Sequence, residues 1–316
     1  MPLSFSRSLD GSLKTLANTP AGLPVRLSYD VWHARNEHSR VRSWSNSLGI
    51  PPLEISRWRP PKGPDETLYL LGNGESVELL SDVAWERIGQ GFSIGINAWP
   101  IHDFVPDAYA FEPFDPESID YVKLFSHVLH EARIETARPR LLLFRPHRSL
   151  DAERYLKIPA KLRKRSRLYG RVVPSTNRSG ELAREIHSLH QLIRARFISD
   201  SLVVDLGGTV IRLISLGIQM GFKRIVLVGV DLNGGSYFWQ RNASYLERRG
   251  LGSFTTGFHR PVHETMIRGD KSFIAYEVIE ALHNTFGRTG GSLTVAHSSS
   301  SLADFLPIEE WGSPVS

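Results

Sequence analysis

The chain has 316 residues, 41% of them hydrophobic and 22% charged, with no cysteine and a formal net charge of +5 at pH 7. The lack of cysteine excludes a disulfide framework, a thiol nucleophile and a thiolate zinc site, whereas the excess of positive charge favours an anionic partner. No apolar run reaches the length of a membrane span and no signal-type apolar stretch opens the chain, so we expect a cytoplasmic protein, at most peripheral on the inner membrane.

The predicted elements begin after a long irregular stretch. Residues 1–65 are punctuated by proline and glycine, and we interpret them as an N-terminal extension. From residue 67, short apolar runs alternate with helical patterns. The predicted strands are 67–71, 92–97, 108–112, 140–145, 224–230 and 292–296, and the predicted helices are 76–88, 116–134, 180–197, 209–220 and 271–286. This alternation predicts an α/β fold with a mainly parallel, Rossmann-like sheet flanked by helices, in which ligands bind beyond the carboxyl ends of the strands.

A basic segment interrupts this order at residues 147–178. Its cationic residues are Lys157, Lys161, Arg163, Lys164, Arg165, Arg167 and Arg171. It is either a solvated basic face or a small mobile lid that attracts an acidic acceptor or an anionic membrane surface. Nucleic acid is not favoured, because no known nucleic-acid-binding pattern is present. The sequence thus predicts an extension (1–65), an α/β domain (66–146 and 179–316) and a basic insertion (147–178).

The turn Gly72-Asn73-Gly74-Glu75-Ser76 follows the first predicted strand directly. Small residues between a strand and a helix allow backbone N–H groups to approach a phosphate or nucleoside. The turn matches neither the GxGxxG fingerprint nor the P-loop. A turn with purely structural glycines therefore remains an equal interpretation of this segment alone.

Further polar residues follow other strands. These are Asn97, Gly207-Gly208-Thr209 before a helix, Val230-Asp231, Tyr237, His259 and His263. In this order the motifs GNGES (72–76), GINAW (95–99), GGT (207–209), GVDLNGGSYF (229–238), FHRPVHET (258–265) and SSSLADF (299–305) resemble those of the bacterial sialyltransferases of glycosyltransferase family 42. The resemblance spans about 67–306. The sequence departs from the family pattern at Glu75, Glu112 and Asn233, and it has no matching arginine near residue 206.

The resemblance implies a GT-A-like variant fold and transfer of a CMP-activated acidic sugar onto a surface glycan or lipo-oligosaccharide, without cofactor or metal. It implies that Asn73 and Asn97 hold the cytidine and phosphate of the donor, that Asp231 orders the pocket and that Tyr237 bonds to the departing phosphate. It also places the donor beside Gly72, Gly74, Ser76, Gly208 and Thr209. His263 is the implied general base and His259 is its rival. Oligomerisation stays open.

The chemistry of such a transfer is consistent with these residue types. A histidine titrates near neutral pH and suits the deprotonation of an acceptor hydroxyl. Tyrosine hydroxyls and helix-end amides can stabilise a monophosphate leaving group, and the sequence has no DxD motif to hold a metal-bound diphosphate. Two alternatives remain. One is a relative of the pterin pyrophosphokinase-like and motility-associated group, and the other is an inactive glycan- or membrane-binding module of the same fold.

Overall fold

The computed structural model describes residues 22–56, 66–111, 141–144, 160–233, 235–251, 266 and 273–311. The predicted helix 116–134, Glu112, and both candidate bases, His259 and His263, lie outside these residues. Their predicted roles therefore stay predictions.

The strands of the described part form a parallel sheet. They are β1 (Thr67–Leu71), β2 (Phe92–Ile96), β3 (Ala108–Phe111), β4 (Leu141–Phe144), β5 (Ser166–Leu168), β6 (Gly170–Val172), β7 (Leu202–Val204), β8 (Arg224–Val228) and β9 (Ser292–Val295). The main sheet has the order β5-β4-β3-β2-β1-β8-β9, and β6 and β7 form a separate parallel pair. Every described pairing is parallel. The predicted mainly parallel α/β architecture is confirmed.

Helices cover the sheet. They are α1 (Leu23–Leu48), α2 (Asp82–Gln90), α3 (Ala160–Lys164), α4 (Ser179–Arg194), α5 (Thr209–Met220), α6 (Phe238–Arg241), α7 (Ser244–Arg248) and α8 (Ala275–Gly287), with short 3₁₀ helices at Glu75–Leu79, Trp99–Ile101 and Ser301–Asp304. The predicted helix 76–88 is divided, because the Ser81 hydroxyl accepts a hydrogen bond from the Ala84 N–H and starts a new helix there. Within the described ranges, no helix is both long and apolar enough to span a membrane.

The N-terminal helix α1 lies within residues 1–65, which the sequence analysis interpreted as a partly ordered extension without predicting a helix there. It runs for 26 residues, and its buried positions are Arg26, Asp30, Ala34, Val41 and Leu48. Two of these five positions are charged, so the apolar periodicity that marks a helix is hidden in the sequence. Arg26 is buried against α4, where its Nε donates to Glu185 at 2.7 Å and its Nη2 lies 2.6 Å from a Glu181 carboxylate oxygen. The helix is therefore part of the packed fold.

The segment predicted as a basic insertion also contributes to the core. Its residues 166–172 contain the strands β5 and β6, and Leu168 and Tyr169 are fully buried. The Leu168 N–H donates to the Pro51 carbonyl at 3.0 Å, which ties this edge of the sheet to the chain that follows α1. The strands are only three residues long, too short for their alternation to stand out among the arginines. The division of the chain into domains remains a prediction.

Candidate functional site

The candidate site lies at the carboxyl edge of the sheet. The chain leaves β1 toward β2 on one side, whereas it leaves β8 toward β9 on the other. Such a reversal opens a crevice between the two strands, which is where parallel α/β proteins bind ligands. The turn 72–76 leaves β1 at this point, and residues 229–231 leave β8 beside it.

The glycines of the two turns hold the two backbones together. The Gly72 N–H donates to the Val228 carbonyl at 2.7 Å, and the Gly74 N–H donates to the Gly229 carbonyl at 2.8 Å. A Cβ at residue 72 would lie 2.5 Å from the Gly229 oxygen. Gly72 and Gly74 thus have a packing role, since these N–H groups are used within the protein. Direct contact between a ligand and either glycine remains a prediction.

Asp231 fixes the start of the 3₁₀ helix that follows the turn. Its carboxylate accepts the Ser76 hydroxyl hydrogen at 2.5 Å and the Ser76 N–H at 3.0 Å. Burial raises the pKa of Asp231, and the hydrogen bonds from Ser76 oppose that shift. The backbone carbonyl of Asp231 accepts the Ser301 hydroxyl at 2.6 Å. Asp231 therefore connects β8, the turn after β1 and the segment 299–305.

Asn73 presents the polar group that is available for a ligand. Its Nδ2 donates to the Ile96 carbonyl at 3.0 Å, which fixes the side chain beside the end of β2. Its Oδ1 is buried and has no hydrogen-bond partner among the described residues. A buried amide oxygen without a partner is costly unless water or a ligand satisfies it.

Asn97 and Tyr237 border the same turn. Asn97 follows β2 with a left-handed φ of 53°, a conformation that asparagine tolerates better than most residues. Its N–H donates to the Ala110 carbonyl at 2.9 Å, so it also has a structural role. Tyr237 forms a β-bridge with Gly74, and its ring stacks on Trp239 with centroids 4.6 Å apart. Both residues are half-buried.

The segment Gly207-Gly208-Thr209 forms a neighbouring cluster at the same edge. Because α5 runs back along the sheet into β8, its first residues lie at the carboxyl end of the strands. The Thr209 hydroxyl accepts from Arg212 Nη2 at 3.1 Å, and Asp205 accepts from Arg212 Nη1 at 3.1 Å. Burial lowers the pKa of Arg212 to about 9. Sequence reasoning missed this arginine, although it lies three residues after Thr209 on the same helix face.

A cavity of about 430 Å³ lies on the other side of the 3₁₀ helix Glu75–Leu79. It is lined by Val77, Glu78, Leu80, Trp85, His102, Phe104 and Tyr245. The sequence analysis did not predict it, because its residues come from four separate segments.

The polar groups of this cavity are joined in one chain of hydrogen bonds. The Phe104 N–H donates to His102 Nδ1 at 3.0 Å, which leaves the proton of the neutral ring on Nε2. Nε2 lies 3.4 Å from the Tyr245 hydroxyl, and that hydroxyl donates to Glu78 at 2.9 Å. Burial lowers the pKa of His102 to about 4, and burial together with Glu78 raises the pKa of Tyr245. His102 is therefore neutral at pH 7, and its only lone pair is already engaged.

Comparisons with known proteins give distant similarity. The sequence matches no protein-family model and no curated protein. Among solved structures, the chain is similar to the sialyltransferase CstII from Campylobacter jejuni in complex with the substrate analogue cytidine-5'-monophosphate, with 14% identity, a TM-score of 0.43, and 79% of this chain and 87% of that chain covered. It is also similar to the monofunctional alpha-2,3-sialyltransferase Cst-I from the same organism, with 14% identity, a TM-score of 0.44 and coverage of 81% and 84%.

A third similar structure is the MAf glycosyltransferase from Magnetospirillum magneticum AMB-1, with 13% identity and a TM-score of 0.44. This match covers 84% of the chain but only 39% of the larger protein. Identity and TM-score are low in all three cases, so these similarities do not establish a function for this chain.

Proposed function

We propose that the protein is an inverting glycosyltransferase that moves a CMP-activated acidic sugar, sialic acid or a similar sugar, onto a surface glycan. The observation that carries the proposal is Asn73. A hydrogen bond to Ile96 fixes its side chain at the sheet crevice, and its buried Oδ1 accepts no hydrogen bond from the residues that the structure describes. The exocyclic amine and the sugar hydroxyls of a cytidine are donors of this kind. The motif order that resembles the sialyltransferases supports the same assignment.

The surroundings of Asn73 suit one phosphate better than two or three. Tyr237 lies beside Gly74 and can donate its hydroxyl hydrogen to a departing phosphate. The Thr209 oxygen accepts from Arg212, so its own hydrogen remains available to a ligand oxygen. Neutral donors of this kind can stabilise a monophosphate without a divalent ion. The acceptor hydroxyl is deprotonated in this proposal by His263, with His259 as the alternative base.

The test is a calorimetric titration with CMP in the absence of metal, repeated with ATP and Mg²⁺. We expect saturable CMP binding to the wild-type chain. Asn73→Ala removes a buried acceptor and should raise the Kd for CMP about five- to a hundredfold, the equivalent of a lost hydrogen bond of about 1–3 kcal/mol. Asn284→Ala makes the same change at an exposed position of α8 and should leave the Kd unchanged.

Three outcomes would contradict the proposal. Binding of ATP with Mg²⁺ in place of CMP would favour the pyrophosphokinase-like alternative. Binding of neither nucleotide would favour an inactive module. An unchanged Kd for CMP in Asn73→Ala would show that CMP does not bind at the crevice.

A further inference from the structure

The cavity beside the 3₁₀ helix Glu75–Leu79 has the composition of a sugar-binding site. Its volume of about 430 Å³ falls within the range of about 300–1,000 Å³ that is usual for small-molecule sites. Trp85 is half-buried and is one of the residues that line this cavity. Indole rings offer a flat apolar face, and the C–H groups of a pyranose ring form a matching apolar surface.

The orientation of Trp85 is fixed by its neighbours. Its ring packs on His102 with centroids 5.0 Å apart and on Phe104 with centroids 5.3 Å apart. His102 in turn stacks on Trp99, with a centroid separation of 4.6 Å. The Trp99 Nε1–H donates to the Phe104 carbonyl at 3.0 Å, which joins the two ends of the segment 99–104. A ring held in this way loses little conformational freedom when a ligand packs on it.

Glu78 supplies a preorganised carboxylate beside that ring. One carboxylate oxygen accepts the Tyr245 hydroxyl at 2.9 Å, and the other accepts Asn242 Nδ2 at 3.4 Å. Each oxygen can accept more than one hydrogen bond, so the carboxylate can also accept two neighbouring sugar hydroxyls. The direction of the hydrogen-bond chain from Phe104 through His102 and Tyr245 holds the acceptor end at Glu78.

The charges around the cavity favour a neutral ligand over a cation. Arg241 pairs with Glu75 at 2.7 Å, while Arg248 and Arg249 both pair with Asp103 at 2.9 Å. Together with Glu78, these groups comprise three carboxylates and three guanidinium groups, so their charges cancel. In addition, the Arg248 guanidinium lies 4.8 Å from the centroid of the Tyr245 ring and occupies the position that a ligand cation would take there.

We infer that this cavity binds a neutral pyranose, with the sugar ring packed on Trp85 and its hydroxyl groups donating to Glu78. Val77 and Glu78 follow Ser76 directly, and Ser76 is bound to Asp231 in the candidate donor site. The cavity and the candidate donor site therefore share the 3₁₀ helix Glu75–Leu79. If the proposed function holds, this sugar belongs to the acceptor glycan.

The binding test uses saturation-transfer NMR and tryptophan fluorescence titration with methyl β-D-galactopyranoside, methyl β-D-glucopyranoside and choline chloride. We expect saturable binding of at least one glycoside and none of choline. Trp85→Ala should weaken glycoside binding about tenfold or more, as expected when a central aromatic contact is lost. Trp85→Phe keeps a ring and should weaken it less. Trp32→Ala, at an exposed tryptophan on α1, is the matched control and should have no effect.

Glu78→Gln provides a second, less disruptive variant. It keeps the size of the side chain and should weaken glycoside binding about threefold or more through the loss of a charged acceptor. Binding of choline in preference to both glycosides, absence of glycoside binding, or binding unaffected by Trp85→Ala and Glu78→Gln would overturn the inference. CMP is titrated into the same samples. Glycoside binding without CMP binding would refute the proposed donor and leave the sugar site intact. CMP binding without glycoside binding would refute the sugar site and leave the proposed donor intact.

Discussion

The packing of Gly74 against Asp231 gives a sharp test of how the candidate site is built. A Cβ at residue 74 would lie 2.2 Å from an Asp231 carboxylate oxygen and 2.9 Å from the Gly229 oxygen. To make room, Asp231 has to leave the hydrogen bonds of 2.5 and 3.0 Å that it accepts from Ser76. Overpacking costs about 1–3 kcal/mol, and a lost hydrogen bond to a charged group costs about 1.5–3 kcal/mol. Counting overpacking and one lost hydrogen bond, Gly74→Ala should therefore lower the free energy of unfolding by about 2.5–6 kcal/mol.

The measurement is urea denaturation at pH 7, followed by CMP titration of the folded variant. Gly89→Ala is the matched control, since the Cβ that it adds on helix α2 meets nothing within 4 Å apart from its chain neighbours and the backbone of its own helix. It should leave stability unchanged or raise it by up to about 1 kcal/mol, because alanine favours helix over glycine. In Gly74→Ala we also expect weaker CMP binding, since Ser76 loses its partner. A Gly74→Ala variant as stable as the wild type would refute the reasoning, as would an equal loss in Gly89→Ala.

Three further predictions concern the titration of Asp30, the identity of the general base and the dependence of transfer on metal ions. Burial, then the Glu185 carboxylate, raises the pKa of Asp30 from 3.8 to about 8, so the folded chain keeps a proton that the unfolded chain releases. The free energy of unfolding should therefore fall as pH rises from about 4 to 8, by at most about 1.4 kcal/mol per pH unit, and Asp30→Asn should remove this fall in urea titrations. His263→Ala should keep CMP binding but lower turnover by roughly 10²–10⁴-fold, and an inactive His259→Ala beside an active His263→Ala would reverse the assignment of the base. Excess chelator should leave transfer from a CMP-sugar nearly unchanged, whereas full loss restored by Mg²⁺ would point to a diphosphate or triphosphate substrate.

The sheet and its carboxyl edge were predictable from sequence because the local signals agree with the fold. β1 was predicted at its observed bounds, and so was α5, which ends at Gly221 in the left-handed conformation that glycine favours. The convergence of Asn73 and Asp231 followed from parallel strands alone, since their carboxyl ends share one edge. The contacts of Asn73 with Ile96 and of Asp231 with Ser76 bear this out.

Other features depend on contacts that no local pattern encodes. Helix α1 was not predicted because its buried stripe contains the charged residues Arg26 and Asp30, and the ion pair of Arg26 with Glu185 on α4 exists only in the folded chain. For the turn glycines the sequence left a structural and a ligand-binding role open, and only the folded chain shows that their N–H groups bond to the neighbouring strand and turn. The cavity beside the 3₁₀ helix Glu75–Leu79 joins Glu78 and Tyr245, which are 167 residues apart, so only the folded chain brings them together.

The glycine pair at residues 72 and 229 limits how this protein can change in evolution. A Cβ on Gly72 would meet the carbonyl oxygen of Gly229 at 2.5 Å, and a Cβ on Gly229 would meet that of Gly72 at 2.6 Å. The Val77 side chain also blocks a Cβ on Gly229, but a backbone oxygen blocks both positions, and a smaller side chain at a second site cannot remove that clash. At Gly91, by contrast, the obstacle nearest to an added Cβ is the ring of Tyr69, which a second substitution can remove. Among homologous chains that keep this crevice, we therefore expect glycine at both positions 72 and 229. A larger residue at position 91 should occur together with a smaller residue at position 69.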